Sequence, residues 1–373
     1  MADRDCEHLL SRRQVLQAGF ATIAAGAIGG PADALSRSQA RGEEVQGVRP
    51  VDIHAHYFPE TFLNLIAEEG KRFNAACRRT EKEFFLETPV FSGGPISNSM
   101  IDVKQRVADM DQQGVAVQAI SLTAPMANWG DAEFDNKLVQ AWNNEASAAH
   151  KAYPTRLVSL LTLPMHHPDR AIDELNRASK LPGTRGVYMP TSINNQDLDH
   201  PVFEAIWARI ANLDLPVFLH PVQTVGGERL KPFHFSNLLG NPFDTAIAAC
   251  HLIFGGVLDR HPKLRVSLSH GGGALPIVIG RLDRGWQVHP EIRHMEQPPS
   301  AYLQRFTYDT IVHSKAIMEF VIKEVGAERV MIGSDYCYSM GYDRPIEFLE
   351  QIDLTSAQRR MILGGTAASV LNL

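Results

Sequence analysis

Two histidines separated by one residue, His54 and His56, stand in an apolar stretch that follows Pro50. In a β-strand, residues two apart point to the same side, so the two imidazoles would face one way together. Two neutral imidazoles side by side make half of a divalent-metal site. The pair therefore predicts a metal site whose remaining ligands come from elsewhere in the chain.

Four further titratable residues end apolar runs later in the sequence: His220, His270, Asp309 and Asp335. A single histidine on an apolar run is more often a packed core residue than a ligand. Several titratable groups buried at the ends of different strands would be costly without a shared purpose. Asp309 fits two roles equally well, capping of the next helix or participation in a site.

The predicted metal ligands are His54, His56, His220 and Asp335. Three nitrogens and one carboxylate oxygen suit one divalent metal ion, zinc first and manganese second, with a position left open for water or substrate. His270 would stand beside the metal as an acid or base, and Asp335 would share in proton handling. His166 and His167 open a helix, so a capping role near the same end of the fold is the simpler interpretation.

The elements that would position these residues alternate between apolar runs rich in Val, Ile and Leu and segments with helical spacing. For example, Phe203, Ile206, Trp207 and Ile210 fall at i, i+3, i+4 and i+7. Eight such runs, each followed by room for a helix, predict the α/β class and a (β/α)8 TIM barrel, whose sites lie at the carboxyl ends of the strands. The predicted strands are 50–57, 115–123, 157–164, 184–190, 216–221, 265–270, 305–310 and 329–335.

Two insertions interrupt the alternation, residues 57–100 after the first predicted strand and residues 226–242 after the fifth. Both follow the carboxyl ends of strands, where barrel enzymes build their sites. They are predicted to form walls of a substrate pocket.

Composition narrows the class of partner. The chain has 373 residues and a formal net charge of -6, without a Lys/Arg block outside the extreme N-terminus. Neither nucleic acid nor an anionic membrane surface is therefore expected as a partner, and a small molecule is the better default. No stretch reaches the ~18 to 20 apolar residues that a membrane span needs.

The N-terminal segment has the outline of a twin-arginine export signal. Arg12 and Arg13 precede a weakly apolar run, 18–30, and residues 32–34 offer a small-x-small cleavage site. We expect a signal peptide over 1–34, a polar leader over 35–49 and the metal-dependent domain over 50–373. The expected location is periplasmic or otherwise exported, and cytoplasmic if the signal is not used.

Motifs in a fixed order resemble those of the amidohydrolase superfamily. The resemblance is to the branch that contains aminocarboxymuconate semialdehyde decarboxylase and related aromatic-acid decarboxylases, and it extends from the first predicted strand to the C-terminus. The motifs that carry it lie at 52–59, 110–111, 114–115, 220–221, 226–227, 255–264, 270–273, 280–281 and 333–336.

The resemblance implies one metal, commonly zinc, on the four predicted ligands, with His270 beside it. The fourth predicted strand, 184–190, contains no lysine, so the carbamylated-lysine bridge of binuclear relatives is not expected. Arg281 resembles the arginine that reaches a substrate carboxylate, in relatives often from a neighbouring subunit, which implies a functional homodimer.

The sequence departs from the family pattern around the pocket. Residues 93–95 read Gly-Gly-Pro where the semialdehyde decarboxylase has a carboxylate-binding arginine, Phe233 stands where a tryptophan would line the pocket, and Tyr338 adds a hydroxyl to the usual phenylalanine. These departures predict an intact metal site under an altered substrate pocket.

The reaction favoured by these observations is metal-dependent, non-oxidative decarboxylation of a small aromatic or unsaturated carboxylic acid. The same site could instead hydrolyse an ester, lactone or amide, or hydrate an unsaturated acid, because all three reactions use the same ligands. A metal-binding or ligand-binding protein without activity would be expected to lack part of the site, and here each expected member is present.

Overall fold

Alternating strands and helices make up the computed structural model, which describes residues 47–81 and 83–373. The predicted signal peptide and leader residues 35–46 lie outside the described residues. In chain order the strands are β1 (Val51–His56), β2 (Ala76–Arg79), β3 (Phe84–Thr88), β4 (Phe91–Ile96), β5 (Val117–Ser121), β6 (Leu157–Leu161), β7 (Thr184–Pro190), β8 (Ser192–Ile193), β9 (Gln196–Asp197), β10 (Val217–His220), β11 (Val266–Leu268), β12 (Phe306–Asp309) and β13 (Val330–Met331).

Eight of these strands form one parallel sheet in the order β1-β5-β6-β7-β10-β11-β12-β13. Its two edges meet through a parallel bridge between Ala55 and Tyr336 and through a hydrogen bond of 2.9 Å from the Ile53 N–H to the Ile332 carbonyl. The sheet therefore curls into a nearly closed barrel, and the predicted (β/α)8 TIM barrel is confirmed.

The strand bounds differ most at the last strand. The fourth predicted strand, 184–190, coincides with β7, whereas β13 covers only Val330–Met331 of the predicted 329–335. Past Met331 the backbone leaves the regular ladder, and Asp335 has a φ of 57°. The carboxylate is thus presented from a turn at the barrel mouth rather than from the strand itself.

Helices lie between the strands and cover the outside of the barrel. The spacing predicted for one of them is confirmed, because Ile206, Trp207 and Ile210 are all buried. In chain order the helices are α1 (Glu60–Glu69), α2 (Asn98–Ile101), α3 (Val103–Gln113), α4 (Ala132–Ala152), α5 (Pro168–Ala178), α6 (Glu204–Asn212), α7 (Asn241–Phe254), α8 (Val257–Arg260), α9 (Leu275–Val288), α10 (Lys315–Val325), α11 (Pro345–Glu350), α12 (Ser356–Arg360) and α13 (Thr366–Leu371).

Side-chain caps fix where two of the helices begin. The Asp102 carboxylate accepts from the backbone N–H groups of Lys104 and Gln105 at the start of α3, and Asp131 accepts from Phe134 at the start of α4. Each cap satisfies backbone donors that have no partner within the helix. None of the helices in the described part of the chain is long and apolar enough to cross a membrane.

Both predicted insertions occur where the sequence placed them. The first contains α1, the antiparallel sheet β2-β3-β4 and α2, and its Phe84, Leu86 and Ile96 are buried in the main core. The second, 226–242, consists mainly of short 3-10 and π-helical turns. A third excursion, the β8–β9 hairpin after β7, was not predicted.

Candidate metal centre

The four predicted ligands come together at the barrel mouth. One donor atom from each of His54, His56, His220 and Asp335 lies within 4.8 Å of the others, and all four residues are buried. The Nε2 atoms of His54 and His56 are 3.2 Å apart, and Oδ1 of Asp335 lies 2.9 Å from His56 Nε2 and 3.6 Å from His54 Nε2. These are the separations expected of donors that share one metal ion with bonds of about 2.0–2.2 Å.

Backbone alternation places the first pair. His54 and His56 are two apart on β1, so their rings share the inner side, with centroids 4.9 Å apart. His220 ends β10 and brings its ring to 5.0 Å from His54 and 5.1 Å from His56. The carboxyl ends of two strands that are distant in sequence thus converge on one point.

Hydrogen bonds at the other ring nitrogen fix the orientation of two of the histidines. His54 Nδ1 lies 2.7 Å from Asp309 Oδ2, and His220 Nδ1 lies 2.8 Å from the Pro221 carbonyl. Since both partners are acceptors, each Nδ1 carries the proton, and each Nε2 is left with a lone pair directed into the cluster. This arrangement fits a bound divalent metal.

The protonation states also fit metal binding. Burial, followed by the positive charges of neighbouring groups, lowers the pKa of His56 to about 4, and burial lowers the pKa of His220 well below its usual range. Burial alone would raise the pKa of Asp335, but the hydrogen bond from His56 and the nearby histidines lower it overall. Near neutral pH His56 and His220 therefore offer neutral nitrogens and Asp335 an ionised carboxylate, as metal ions require. Burial lowers the pKa of His54, but the hydrogen bond to Asp309 and the charge of Asp335 raise it overall, so His54 would release a proton when a metal ion binds.

Asp309 supports the cluster from behind. This fully buried carboxylate accepts backbone N–H groups from His270 (3.0 Å), Gly271 (2.8 Å) and Ile311 (3.0 Å), as well as contacting His54 Nδ1. The sequence did not distinguish between helix capping and participation in the site for Asp309. In the structure Asp309 contacts His54, one of the predicted metal ligands. Its position at the end of a strand was the only signal available.

A second buried carboxylate, Asp52, ties the ends of the first and last barrel strands together. It accepts from the Ser334 N–H (3.0 Å) and hydroxyl (2.6 Å) and from the Gln118 amide (2.9 Å). Arg106 on α3 donates to Gln118 Oε1 at 2.7 Å and to the His56 carbonyl. Sequence reasoning missed Gln118 and Arg106, because a polar residue in an apolar run and a basic residue on a polar helix gave no sign of their burial.

His270 stands next to the four ligands without joining them. Its ring centroid is 5.7 Å from that of His54 and 5.3 Å from that of His220. Its Nδ1 is buried and has no hydrogen-bond partner among the described residues, and burial lowers the pKa of the ring, so the ring is neutral. The free nitrogen is available to take up or deliver a proton.

Two adjacent cavities open above the cluster, with volumes of about 230 and 170 Å³. Asn237, Asn241 and Asp335 line both cavities. His270 lines the first cavity, and Tyr338, one of the predicted substrate contacts, lines the second. The two asparagines were not predicted, since they lie among short turns of the 226–242 insertion and at the start of α7.

The other two predicted substrate contacts lie elsewhere. Phe233 is 76% exposed, and Arg281 is exposed on α9; neither lines the two cavities. Within one chain, the described residues therefore bring Tyr338 to the pocket and leave Phe233 and Arg281 on the surface.

Comparison with known proteins agrees with this architecture. 2-Amino-3-carboxymuconate-6-semialdehyde decarboxylase of Dictyostelium discoideum is 28% identical over 336 residues, which cover 87% of this chain and 91% of that protein. Gamma-resorcylate decarboxylase of Polaromonas sp. strain JS666 is 25% identical over 296 residues, which cover 74% of this chain and 90% of that protein.

A solved structure shares the fold. 5-Carboxyvanillate decarboxylase from Novosphingobium aromaticivorans, complexed with manganese and 4-hydroxy-3-methoxy-5-nitrobenzoic acid, aligns with a TM-score of 0.73 at 20% identity, covering 89% of this chain and 97% of that chain. The amidohydrolase family model matches residues 51–373. The chain therefore belongs to the amidohydrolase family.

Proposed function

We propose that this protein catalyses the metal-dependent, non-oxidative decarboxylation of a small aromatic or unsaturated carboxylic acid. The observation that carries the proposal is the buried cluster of three imidazoles and one carboxylate, beside which His270 has a buried ring nitrogen that makes no hydrogen bond to any described residue. Relatives that match most of the chain are named as decarboxylases of such acids, which supports the same reaction here.

The proposed cofactor is one divalent metal ion, zinc or manganese, held by His54, His56, His220 and Asp335. When bound, such an ion supplies a Lewis acid that polarises oxygen atoms of the substrate or water. The nitrogen-rich ligand set suits zinc, while the related 5-carboxyvanillate decarboxylase contains manganese.

The protein's own residues manage the proton. In the overall reaction the bond between the carboxyl carbon and the neighbouring carbon breaks, its electron pair stays on that neighbouring carbon, and a proton takes the place of carbon dioxide. His270 Nδ1, which makes no hydrogen bond to a described residue, is the proposed carrier of this proton, and Asp335, which lines both cavities, is its proposed relay.

The cavities favour a substrate of low charge. No Lys or Arg in the described part of the chain lines either cavity, whereas Phe91, Thr123 and Val222 form one wall of the second cavity. Such a wall suits a planar ring with few charged groups. The positive charge that pairs with the substrate carboxylate must therefore come from the metal ion or from a residue of another subunit.

A homodimer would supply that charge. We propose that Arg281 reaches the pocket of a partner subunit. Arg281 is exposed and lies on the same face of α9 as Ile277, which is 63% exposed. Phe243, on the neighbouring α7, is 51% exposed. Large apolar side chains exposed on neighbouring helices are typical of a surface that is covered in an oligomer.

Export is proposed from the N-terminal sequence alone. Arg12 and Arg13 before the weakly apolar run 18–30 support a twin-arginine signal. In a host with this pathway, the wild-type chain should appear in the periplasm, and a variant with both arginines replaced by lysine should stay in the cytoplasm. Equal periplasmic amounts of the two would contradict export by this route.

A substrate screen tests the proposed reaction. The metal-loaded protein should release carbon dioxide from one or more hydroxybenzoic or unsaturated acids and should not hydrolyse a parallel set of esters and lactones. His270→Ala should retain the metal and lose about 10²–10⁴-fold in kcat, as expected for loss of a general acid or base, while His289→Ala on the exposed surface should change neither. Hydrolysis without carbon dioxide release would favour the hydrolase alternative, and full turnover by His270→Ala would exclude the role given to His270.

A further inference from the structure

A second group of side chains of types that can bind metal lies near the end of β6, the third strand of the barrel. His166 and His167 follow β6 and lead into α5, and Asp135 lies in the first turn of α4. One donor atom from each residue lies within 4.8 Å of the others. No residue of this group belongs to the cluster around His54.

Two buried ligand atoms in this group have no hydrogen-bond partner in the described part of the chain. The side chain of Asp135 is fully buried; its Oδ1 accepts the Gly130 N–H at 2.8 Å, which leaves Oδ2 unpartnered. His167 Nε2 is also buried and makes no hydrogen bond to a described residue; it lies within ion-pair distance of Asp135 Oδ2, at 3.5 Å. Buried polar atoms without partners are rare because each costs about 1–3 kcal/mol.

The separation of these two atoms fits a shared ion better than a direct bond. A charge-assisted hydrogen bond between a protonated histidine and a carboxylate spans about 2.7–2.9 Å. Two ligands bound to one metal at about 2.0–2.2 Å, at a tetrahedral angle, lie roughly 3.3–3.5 Å apart. The observed 3.5 Å matches the second arrangement.

The third member of the group is oriented and accessible. The backbone N–H of His166 donates to Asn128 Oδ1 at 3.2 Å, and the imidazoles of His166 and His167 are stacked with centroids 4.7 Å apart. His166 is exposed, which provides a path for an ion to enter.

We propose that Asp135, His166 and His167 bind a second divalent metal ion of the zinc class, separate from the ion at the His54 centre. One carboxylate oxygen and two imidazole nitrogens are a ligand set that zinc accepts, with water completing the coordination on the exposed side. The ion joins the N-terminal turn of α4 to the N-terminus of α5. This proposal does not depend on the reaction proposed above.

Zinc stoichiometry of the intact protein tests the proposal. After dialysis against zinc and removal of loosely bound metal, the wild-type chain should hold about two ions, one for each predicted ligand set. His166→Gln and Asp135→Asn should each hold about one, and calorimetric titration should show loss of one binding event. Asp169→Asn, which removes an exposed acid from the first turn of α5, is the matched control and should hold as much zinc as wild type.

The variants separate metal loss from misfolding. His166 is exposed, so His166→Gln should fold even if Asp135→Asn does not, and its far-ultraviolet circular dichroism should match that of wild type. Loss of one ion in His166→Gln with both retained in Asp169→Asn supports the site. A wild-type chain that holds a single ion overturns the proposal, as does a His166→Gln variant that holds as many ions as wild type.

Discussion

At the scale of single residues, Asp309 orients the His54 ring so that its Nε2 points into the metal centre. Its carboxylate holds His54 Nδ1 at 2.7 Å while accepting three backbone N–H groups that keep it in place. Carboxylates of this kind orient a histidine ligand and raise its basicity. Metal affinity should therefore depend on Asp309 although it does not contact the metal.

Asp309→Asn should weaken metal binding by about 10–100-fold, because the amide carries no charge with which to polarise His54. Competition with a metal-binding dye would measure the change. Asp343→Asn, at an exposed acid, is the control and should bind metal as tightly as wild type. An Asp309→Asn variant with wild-type affinity would mean that the carboxylate serves only the backbone around it.

The buried carboxyl group of Asp135 makes the free energy of unfolding depend on pH. Burial raises its pKa to about 6, above the value of about 4 in an unfolded chain. Between these values the folded state holds the proton more tightly, so the free energy of unfolding falls as pH rises. In metal-free protein, the stability of Asp135→Asn relative to wild type should increase by up to about 3 kcal/mol from pH 4 to pH 7.

Denaturant unfolding at several pH values, with a chelator present, would measure that difference. The same comparison for Asp169→Asn should be nearly flat, since that acid is exposed. A difference between Asp135→Asn and wild type that does not change with pH would contradict an ionised, desolvated Asp135.

Most of the candidate site could be predicted from the sequence, because its residues lie on or at the ends of predicted strands. His54 and His56 shared a face by alternation, and His220 and Asp335 ended apolar runs, so the barrel topology alone brought them together. Asp309 could not be assigned in the same way, because a strand-end aspartate caps a helix or orients a ligand with the same sequence pattern.

At the scale of elements, Arg106 links α3 to the end of β1. It is fully buried, donates to Gln118 and to the His56 carbonyl, and lies 4.8 Å from the centroid of the Tyr336 ring. One side chain thus joins a helix, two neighbouring strands and the turn that follows Asp335. Its position depends on packing between elements, which sequence periodicity does not encode.

Arg106→Ala should lower the free energy of unfolding by at least about 3 kcal/mol, because it leaves buried acceptors unpaired and a cavity behind. Chemical denaturation would measure the loss, and Arg284→Ala, at an exposed arginine on α9, should change stability by less than about 0.5 kcal/mol. Equal effects of the two substitutions would show that the Arg106 contacts add no net stability.

The elements above the barrel were only partly predictable. The insertion 57–100 was located from its length, but its antiparallel sheet was not, since Gly93, Gly94 and Pro95 disfavour a strand and here lie within β4. Likewise, 329–335 was predicted as a strand because it contains the apolar run 330–332, whereas in the structure Ser334 makes hydrogen bonds to the Asp52 side chain, beyond the end of β13. Long-range contacts decided both outcomes.

At the scale of the whole molecule, the proposed dimer predicts that one active site uses residues from two chains. If Arg281 acts across the interface, mixing His270→Ala and Arg281→Ala chains creates a heterodimer with one intact site. Random reassociation of two inactive variants should then restore roughly a quarter of wild-type specific activity.

In the control, the His270→Ala variant alone is dissociated and reassociated in the same way, and no activity should be restored. Activity of the mixture that does not exceed the sum of the two variants would place Arg281 in its own chain's site or outside catalysis. Light scattering of the wild-type protein would independently show whether the dimer exists.

The most direct test of the proposed decarboxylation follows the carboxyl carbon and the incoming hydrogen together. Metal-loaded protein in D₂O, given hydroxybenzoic acids labelled with ¹³C in the carboxyl group, should release ¹³CO₂ and leave one deuterium on the carbon that carried the carboxylate, as measured by mass spectrometry. Both signals should disappear when the metal is removed and return when it is restored. Metal-loaded protein that releases no ¹³CO₂ from these or unsaturated acids, while hydrolysing esters or lactones, would contradict the proposed function.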